Sequence, residues 1–246
     1  MALKASPDDQ ALLLDLQAFD TKLAQLDHRA KALPELATLA GFAQDADALR
    51  LTLGQQNGSL EDVKIELKRI ESDVEVVETR IARDTERLQG SSSVKDVSAL
   101  EQELTSLRKR LGDLEEIELT VMEKLEAQQT LVTNTTAALE ALRSRAAEVE
   151  VDRDATLATI TAERTVAAAG RAAVESTVPA DLLALYERQR ARYGTGASLL
   201  RGGVSLASGV KLLENEMHEI RAAAPDDVIM CASSEAILVR TAESGL

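Results

Sequence analysis

The stretch LEDVKIELKRIESDVEVVETRIARDTERL, residues 60–88, places apolar side chains at spacings that alternate between three and four residues. Charged residues fill most of the positions between them. An average spacing of about 3.5 residues is typical of a heptad seam and predicts a left-handed coiled coil. The seam positions are Leu60, Val63, Leu67, Ile70, Val74, Val77, Ile81 and Leu88.

A second seam of the same kind begins shortly after the first. Between the two seams lies QGSSSVKDVS, in which Gly90 suits the residue that follows a helix and the serines suit the N-cap of the next helix. The sequence therefore predicts an antiparallel helical hairpin with its tip near residues 89–97. The second seam contains Val97, Leu100, Leu104, Leu107, Leu111, Leu114, Ile117, Val121 and Leu125.

The two predicted arms match in length. The first begins at Ser6, an N-cap candidate followed by Pro7, and the second ends before Pro179. Each arm has about 80 residues, or on the order of 120 Å of helix. Pro34 should interrupt the first arm, and the segment GQQNGS (residues 54–59) should weaken it. The alanine-rich end of the second arm lets helices approach closely, so the base of the hairpin is predicted to be a tighter or a three-stranded helical bundle.

After residue 178 the pattern changes. ADLLALYERQRARYG and NEMHEIRAA predict short helices, a Gly/Ser-rich segment between them predicts turns and short strands, and DDVIMCASSEAILVR predicts strand, turn and strand. Residues 179–246 are too few to bury a large core, so they are expected to pack on the hairpin base. The predicted fold is mainly α: a long antiparallel coiled-coil helical hairpin (1–178) with a small C-terminal α+β head (179–246).

The amino-acid composition indicates a coiled-coil protein and argues against several other classes. The 246 residues include 2% aromatics, no Trp and 28% charged residues, which is typical of coiled coils rather than of one large globular core. The net charge of −14 argues against a general nucleic-acid coat protein. One cysteine cannot form an internal disulfide and fits a reducing cytoplasm. The start MALKASPDDQ lacks an apolar signal region, and no run of apolar residues predicts a membrane span.

The order of these parts resembles a bacterial family that joins a coiled-coil hairpin to a C4-type zinc ribbon. The similarity is carried by VPADLLALYERQRAR, a Gly/Ser stretch, EIRAAAPDDVIMC and ILVR. That family includes a flagellar regulator that binds an RNA-polymerase sigma factor and a flagellin message, and it has many actinobacterial members. The resemblance implies a zinc-ribbon-like head and contacts with protein and nucleic-acid partners.

The resemblance also places the four zinc ligands of the family at Ser205, Ser208, Cys231 and Ser234. Three of the four thiols are therefore hydroxyls, which are poor zinc ligands at neutral pH. His218 could add at most one further ligand. We predict a degenerate, metal-free ribbon without a cofactor, in which Cys231 is a small buried residue. The alternative is that Cys231 is an exposed thiol that couples to another molecule. An apolar core is predicted to replace the metal: Leu206, Val210, Leu212, Leu213, Ile220, Val228, Met230, Ile237, Leu238 and Val239.

Two surfaces are candidates for binding. Around the helix that follows Pro179, Arg188, Arg190, Arg192 and Arg201 form a basic cluster, and Tyr186 and Tyr193 could stack on bases. Alternatively, these arginines pair with acidic residues of the base or head. At the hairpin tip, a partner could contact Arg87, Ser91, Ser92, Ser93, Lys95 and Asp96, although a hairpin needs a turn whatever its function.

No catalytic constellation is visible. The two histidines, His28 and His218, have no nucleophile or phosphate-loop pattern around them. We therefore predict a non-enzymatic adaptor or scaffold whose arm and head engage protein partners, with homodimerisation left open. The alternative is a nucleic-acid-binding module that uses the arginine cluster, and a third hypothesis is a purely structural spacer.

Overall fold

A computed structural model describes residues 3–246 of the chain. These residues form α1 (Pro7–Lys31), α2 (Pro34–Gly90), α3 (Val94–Glu175), α4 (Ala180–Tyr193) and α5 (Glu214–Ala222). The strands are β1 (Ala197–Arg201), β2 (Val204–Ser205), β3 (Ile229–Met230) and β4 (Ile237–Val239), and a short 3-10 helix covers Ala242–Ser244. Contacts divide the chain into two compact units: a first unit of residues 3–34 with 152–246, and a second unit of Glu35–Val151.

The second unit consists of α2 and the part of α3 up to Val151, packed antiparallel along one seam. Ala46 packs against Leu139 and Leu142, while Arg80 pairs with Glu103 nearer the turn, so the helices run in opposite directions. This confirms the helical hairpin. One predicted seam residue is wrong: Ile117 is 47% exposed, and Glu118 takes the seam position one turn before the buried Val121.

The turn of the hairpin is formed by Ser91–Ser93. The hydroxyl of Ser93 accepts a hydrogen bond from the Asp96 amide at 3.5 Å, as an N-cap serine does. The prediction that Gly90 follows the helix is wrong, because Gly90 is still helical and has no positive φ. The expected weak point at residues 54–59 does not interrupt α2 either, since tertiary packing outweighs glycine propensity.

In the first unit, α1 begins as predicted. The Ser6 hydroxyl accepts from the Asp9 amide at 3.1 Å, and Pro7 occupies the first turn. Helix α1 ends at Lys31 and Pro34 opens α2, which confirms the predicted interruption. Proline lacks the N–H that would continue the helix. Leu26 and Leu33 then pack with Ile160 of α3.

The head is a four-stranded sheet in the order β2-β1-β4-β3. Strands β1 and β4 are parallel, with Ser198 opposite Leu238, and the other pairs are antiparallel. The N-terminal segment extends the sheet beyond β3: the Ala5 amide donates to Asp226 O at 2.9 Å and the Val228 amide donates to Leu3 O at 3.1 Å. The predicted helices and strands of the head are thus confirmed.

The sheet has a core on each face. One face packs on α1 and α4, with Tyr186, Ile237 and Val239 fully buried, and the other packs on α5 through Leu200, Ile220 and Leu238. The predicted apolar core is right in part only. Residues in the segment after the edge strand β2 reach neither core and are more than half exposed: Leu206, Val210 and Leu213.

The head and the base of the helices belong to the same compact unit. Helix α1 contacts β1 and β4, and α4 contacts β1. The predicted boundary between residues 178 and 179 therefore lies inside the first unit. Between residues 3 and 246, no helix is both long and apolar enough to cross a membrane.

Candidate functional site

A cluster of hydroxyl groups surrounds the Cys231 thiol in the head. Cys231 is 2% exposed, which confirms that it is buried, and its sulfur lies 3.2 Å from the Ser233 hydroxyl. Ser233 in turn donates to Ser208 at 3.3 Å. The β1–β2 region and the β3–β4 turn thus bring the predicted ligand positions to the same place.

The hydroxyls change the acidity of this thiol. Burial raises the pKa of Cys231, but the neighbouring serine hydroxyls, foremost that of Ser233, outweigh burial and lower the pKa from 9.0 to about 7. A Ser205 hydroxyl also lies 3.4 Å from that of Ser198. The site therefore favours a thiolate held by hydroxyl donors.

This donor set does not fit a structural zinc ion. Within residues 3–246, no group of three or more His, Cys, Asp or Glu side chains is placed to hold a metal. Zinc needs four soft or imidazole donors, and the cluster offers one thiol with hydroxyls. His218 lies exposed on α5.

Hydrogen bonds from Arg240 fix the segment between α5 and β3. Its guanidinium donates to backbone carbonyls at 2.7 Å (Ala224), 2.8 Å (Asp227) and 3.1 Å (Pro225), and more weakly to Ile220 and Ala223. These carbonyls lie in the last turn of α5 and in the segment after it, where the helix itself offers no donors. Lys4 braces the same segment through ion pairs with Asp226 at 3.0 Å and Asp227 at 3.3 Å.

A buried polar network joins α1, α3 and α4 beneath the head. Asp20 is its centre: it accepts from Arg171 Nε at 2.7 Å and from the Tyr186 hydroxyl at 2.7 Å. Glu187 binds Arg171 and also Arg190, the latter at 2.7 Å. We name Asp20, Arg171, Tyr186, Glu187 and Arg190 the base network.

The base network changes the pKa values of Tyr186 and Arg171. Burial and the hydrogen bond to Asp20 raise the pKa of Tyr186 well above its usual range. Burial lowers the pKa of Arg171, but its hydrogen bonds to Asp20 and Glu187 outweigh burial and raise the pKa above its ordinary value. Gln17 extends the network to the sheet by accepting from the Gly196 amide at 2.8 Å. These contacts connect α1, α3 and α4 to each other and to the start of the sheet, so the role of the network is structural.

The predicted arginine cluster is divided by the structure. Arg190 belongs to the base network, and Arg201 pairs with Glu243 at 2.6 Å, as the alternative hypothesis expected. Arg188 and Arg192 are exposed, and Arg192 lies 5.1 Å from the centre of the Tyr193 ring. Tyr186 cannot stack on a base in this fold, because it is fully buried.

At the hairpin turn, the predicted contact residues Ser92, Ser93, Lys95 and Asp96 are exposed. Arg87 donates to the buried Asp84 at 3.2 Å, so this arginine also stabilises the hairpin. The sequence interpretation missed Val94, whose side chain is 87% exposed at the start of α3. An aliphatic residue inside the polar run SSSVKD was the signal that could have identified it.

Comparisons with known proteins agree on the fold. A family model described as the CT398-like coiled coil hairpin domain matches residues 16–194. The chain is 34% identical to the uncharacterized Mycobacterium tuberculosis protein Rv2229c over 239 residues, 97% of this chain and 98% of the relative. A solved structure from Mycobacterium smegmatis superposes with a TM-score of 0.88 at 32% identity, covering 97% of this chain and 100% of the other.

A second solved structure, CT398 from Chlamydia trachomatis, superposes with a TM-score of 0.68. It covers 95% of this chain and 98% of the other chain. At 18% identity, this likeness shows the fold alone.

Proposed function

The chain belongs to the CT398-like coiled coil hairpin domain family, and from this premise we propose that it is a non-enzymatic adaptor. It holds protein partners through the tip of the hairpin and through a zinc-ribbon-like head that has lost its metal. Long helices joined by one seam leave their outer faces free for other chains. A single cysteine suits a reducing compartment, so the proposed location is the cytoplasm.

The observation that supports this proposal best is the exposure of Val94. Its aliphatic side chain is 87% exposed at the turn, next to the exposed Lys95. The turn itself needs no apolar residue there, because Ser93 supplies the helix cap. An apolar side chain at the exposed end of the hairpin gains burial when a partner covers it, and the polar residues around it can form the rim of such a contact.

Site-specific photo-crosslinking tests this proposal. A photoreactive phenylalanine analogue replaces Val94 in one variant and Val151, which is 68% exposed elsewhere on α3, in a matched control. Both variants are irradiated in extract of the organism that encodes the protein. We expect a discrete partner, or a second copy of this chain, to crosslink through position 94 and not through position 151.

Competition with unlabelled protein sharpens the test. Wild-type chain should displace the crosslink at position 94, whereas V94S should compete less well, because serine removes the exposed methyl groups. V151S should compete like the wild type. Equal crosslinking at positions 94 and 151 would instead favour a structural spacer.

A second candidate function is nucleic-acid binding at the base of the head. It is favoured by Arg188 and Arg192, which are exposed, and by the 44% exposed Tyr193 beside Arg192. The variant R188Q/R192Q should reduce salt-dependent retention of labelled single-stranded RNA. R108Q/R110Q, which alters two exposed arginines of α3, is the control. Absence of retention by the wild type at low salt would exclude this candidate.

A further inference from the structure

A groove opens on the α5 face of the head, between α5 and β3. It encloses about 250 Å³. Its floor is apolar: Leu212 and Leu238 are buried there, and Ile220 and Ile229 form the two sides. We name this cavity the head groove. It is separate from the base network and from the hairpin turn, but the Cys231 thiol described above is part of its lining.

The rim of the head groove is acidic. Glu216 and Glu219 of α5 border it, and none of its lining residues is a lysine or arginine. The Glu216 carboxylate accepts from the Leu213 amide at 2.7 Å, whereas Glu219 is exposed and makes no ion pair within residues 3–246. Glu219 is therefore available to a cationic group from outside.

Two arginines close to the groove in the fold are occupied elsewhere. Arg221 pairs with Glu214 at 2.9 Å, and Arg240 donates to the backbone carbonyls between α5 and β3. Neither one neutralises Glu219. The groove thus combines an apolar floor with an uncompensated negative rim, which disfavours phosphate and other anions.

We propose that the head groove binds an apolar side chain from a short basic segment of a partner protein. The volume is below the roughly 300–1,000 Å³ of pockets for drug-sized ligands, so it suits one leucine or phenylalanine rather than a whole cofactor. A lysine or arginine beside that anchor pairs with Glu219. This inference rests on the adaptor function and identifies the chemistry of the partner that the head engages.

Fluorescence polarisation with three synthetic hexapeptides tests the proposal on the full chain. The first has a leucine and a phenylalanine flanked by two lysines on each side; the second replaces the lysines with glutamates, and the third replaces both apolar residues with glycine. We expect only the first to bind, with the other two at least about tenfold weaker.

Two substitutions locate the binding. E219K reverses the free rim charge, and A232W fills the groove from the exposed Ala232 in its lining. Each should weaken binding of the first peptide by about tenfold. The controls are E115K on the exposed surface of α3 and A207W in the turn after β2, and both should bind like the wild type.

Opposite results overturn the inference. If E115K weakens binding as much as E219K does, the peptide responds to net charge rather than to the groove. If A232W binds like the wild type, or if none of the peptides binds, the groove is not the site. The crosslinking at position 94 reports on a different region, so the adaptor function can survive the failure of the groove.

Discussion

The Tyr186 hydroxyl donates a 2.7 Å hydrogen bond to Oδ2 of Asp20, and both residues are buried between α1 and α4. The same carboxylate accepts from Arg171 at 2.7 Å through its other oxygen. One aspartate on α1 thus holds groups from α4 and α3 together. Asp20 therefore links α4, at the start of the head, to both helices of the base.

Replacement of Asp20 by alanine should destabilise the protein strongly. The side chain of Arg171 is only 16% exposed, so D20A leaves a buried charge without its main partner, at a cost of about 3 kcal/mol. Urea unfolding followed by circular dichroism measures the change. The control is D47A, which removes the 2.6 Å pair with Arg50 from a side chain that is 74% exposed and should cost less than about 0.5 kcal/mol. Equal costs would contradict the proposed role of Asp20.

Two glycines in α3 should respond differently to alanine. Gly112 has open space around a new Cβ atom, so G112A should stabilise the helix by about 0.5–1 kcal/mol. At Gly170 a Cβ atom would lie 2.5 Å from the Phe19 ring, which must move away and lose packing. We expect G170A to gain nothing or to destabilise, as thermal unfolding of the two variants will show. Equal stabilisation would mean that the Phe19 contact is unimportant.

The long-range helical organisation could be predicted from the sequence because its signals are local or periodic. The heptad seam, the Ser6 cap and the break at Pro34 each depend on residues a few positions apart. Gly90 was misplaced because helix ends are weakly specified and Ser93 provides the cap without it. Ile117 was assigned to the seam because it is apolar, but the heptad spacing turns the adjacent Glu118 towards the partner helix and leaves Ile117 exposed.

The candidate site was harder to predict, because its groups come from distant parts of the chain. Tyr186 was assigned to a binding surface. In the structure it is buried, and its hydroxyl donates to Asp20, which lies 166 positions away in the sequence. Arg240 was not identified at all, although it donates to carbonyls of the α5–β3 segment. A guanidinium bound to backbone oxygens leaves no pattern of residue types in the sequence.

The Cys231 thiol should titrate below its usual range. Its pKa of about 7 lies under the ordinary 9.0, so the folded protein holds a thiolate in a pH range where the unfolded chain holds a thiol. This group therefore adds stability that is complete above pH 9 and is lost as the pH falls through about 7. Thiolate absorbance in the ultraviolet, with C231S as blank, measures the midpoint.

The serines around Cys231 provide the matching variants. S233A removes a hydroxyl at 3.2 Å and should shift the thiolate midpoint upward. S92A, at an exposed position of the hairpin turn, should leave the midpoint unchanged. An unshifted midpoint in S233A would show that the hydroxyls do not stabilise the thiolate.

Restoring thiols should convert the hydroxyl cluster into a zinc site. The Ser205 and Ser234 side chains lie close to the Cys231 thiol, and Ser208 is linked to the thiol through the Ser233 hydroxyl. The triple variant S205C/S208C/S234C therefore presents four thiols in one place, as structural zinc requires. We expect metal analysis to find about one zinc per chain, and thermal unfolding to become sensitive to a chelator, because bound metal stabilises the folded state.

The wild-type chain offers one thiol and hydroxyls, so its zinc content should stay far below one equivalent after the same purification. Adding C231S to the triple variant removes one of the four ligands and should weaken zinc retention, which separates a defined site from adventitious thiol binding. About one zinc per wild-type chain would refute the degenerate site. A folded triple variant without zinc would mean that the four positions do not converge on a common centre.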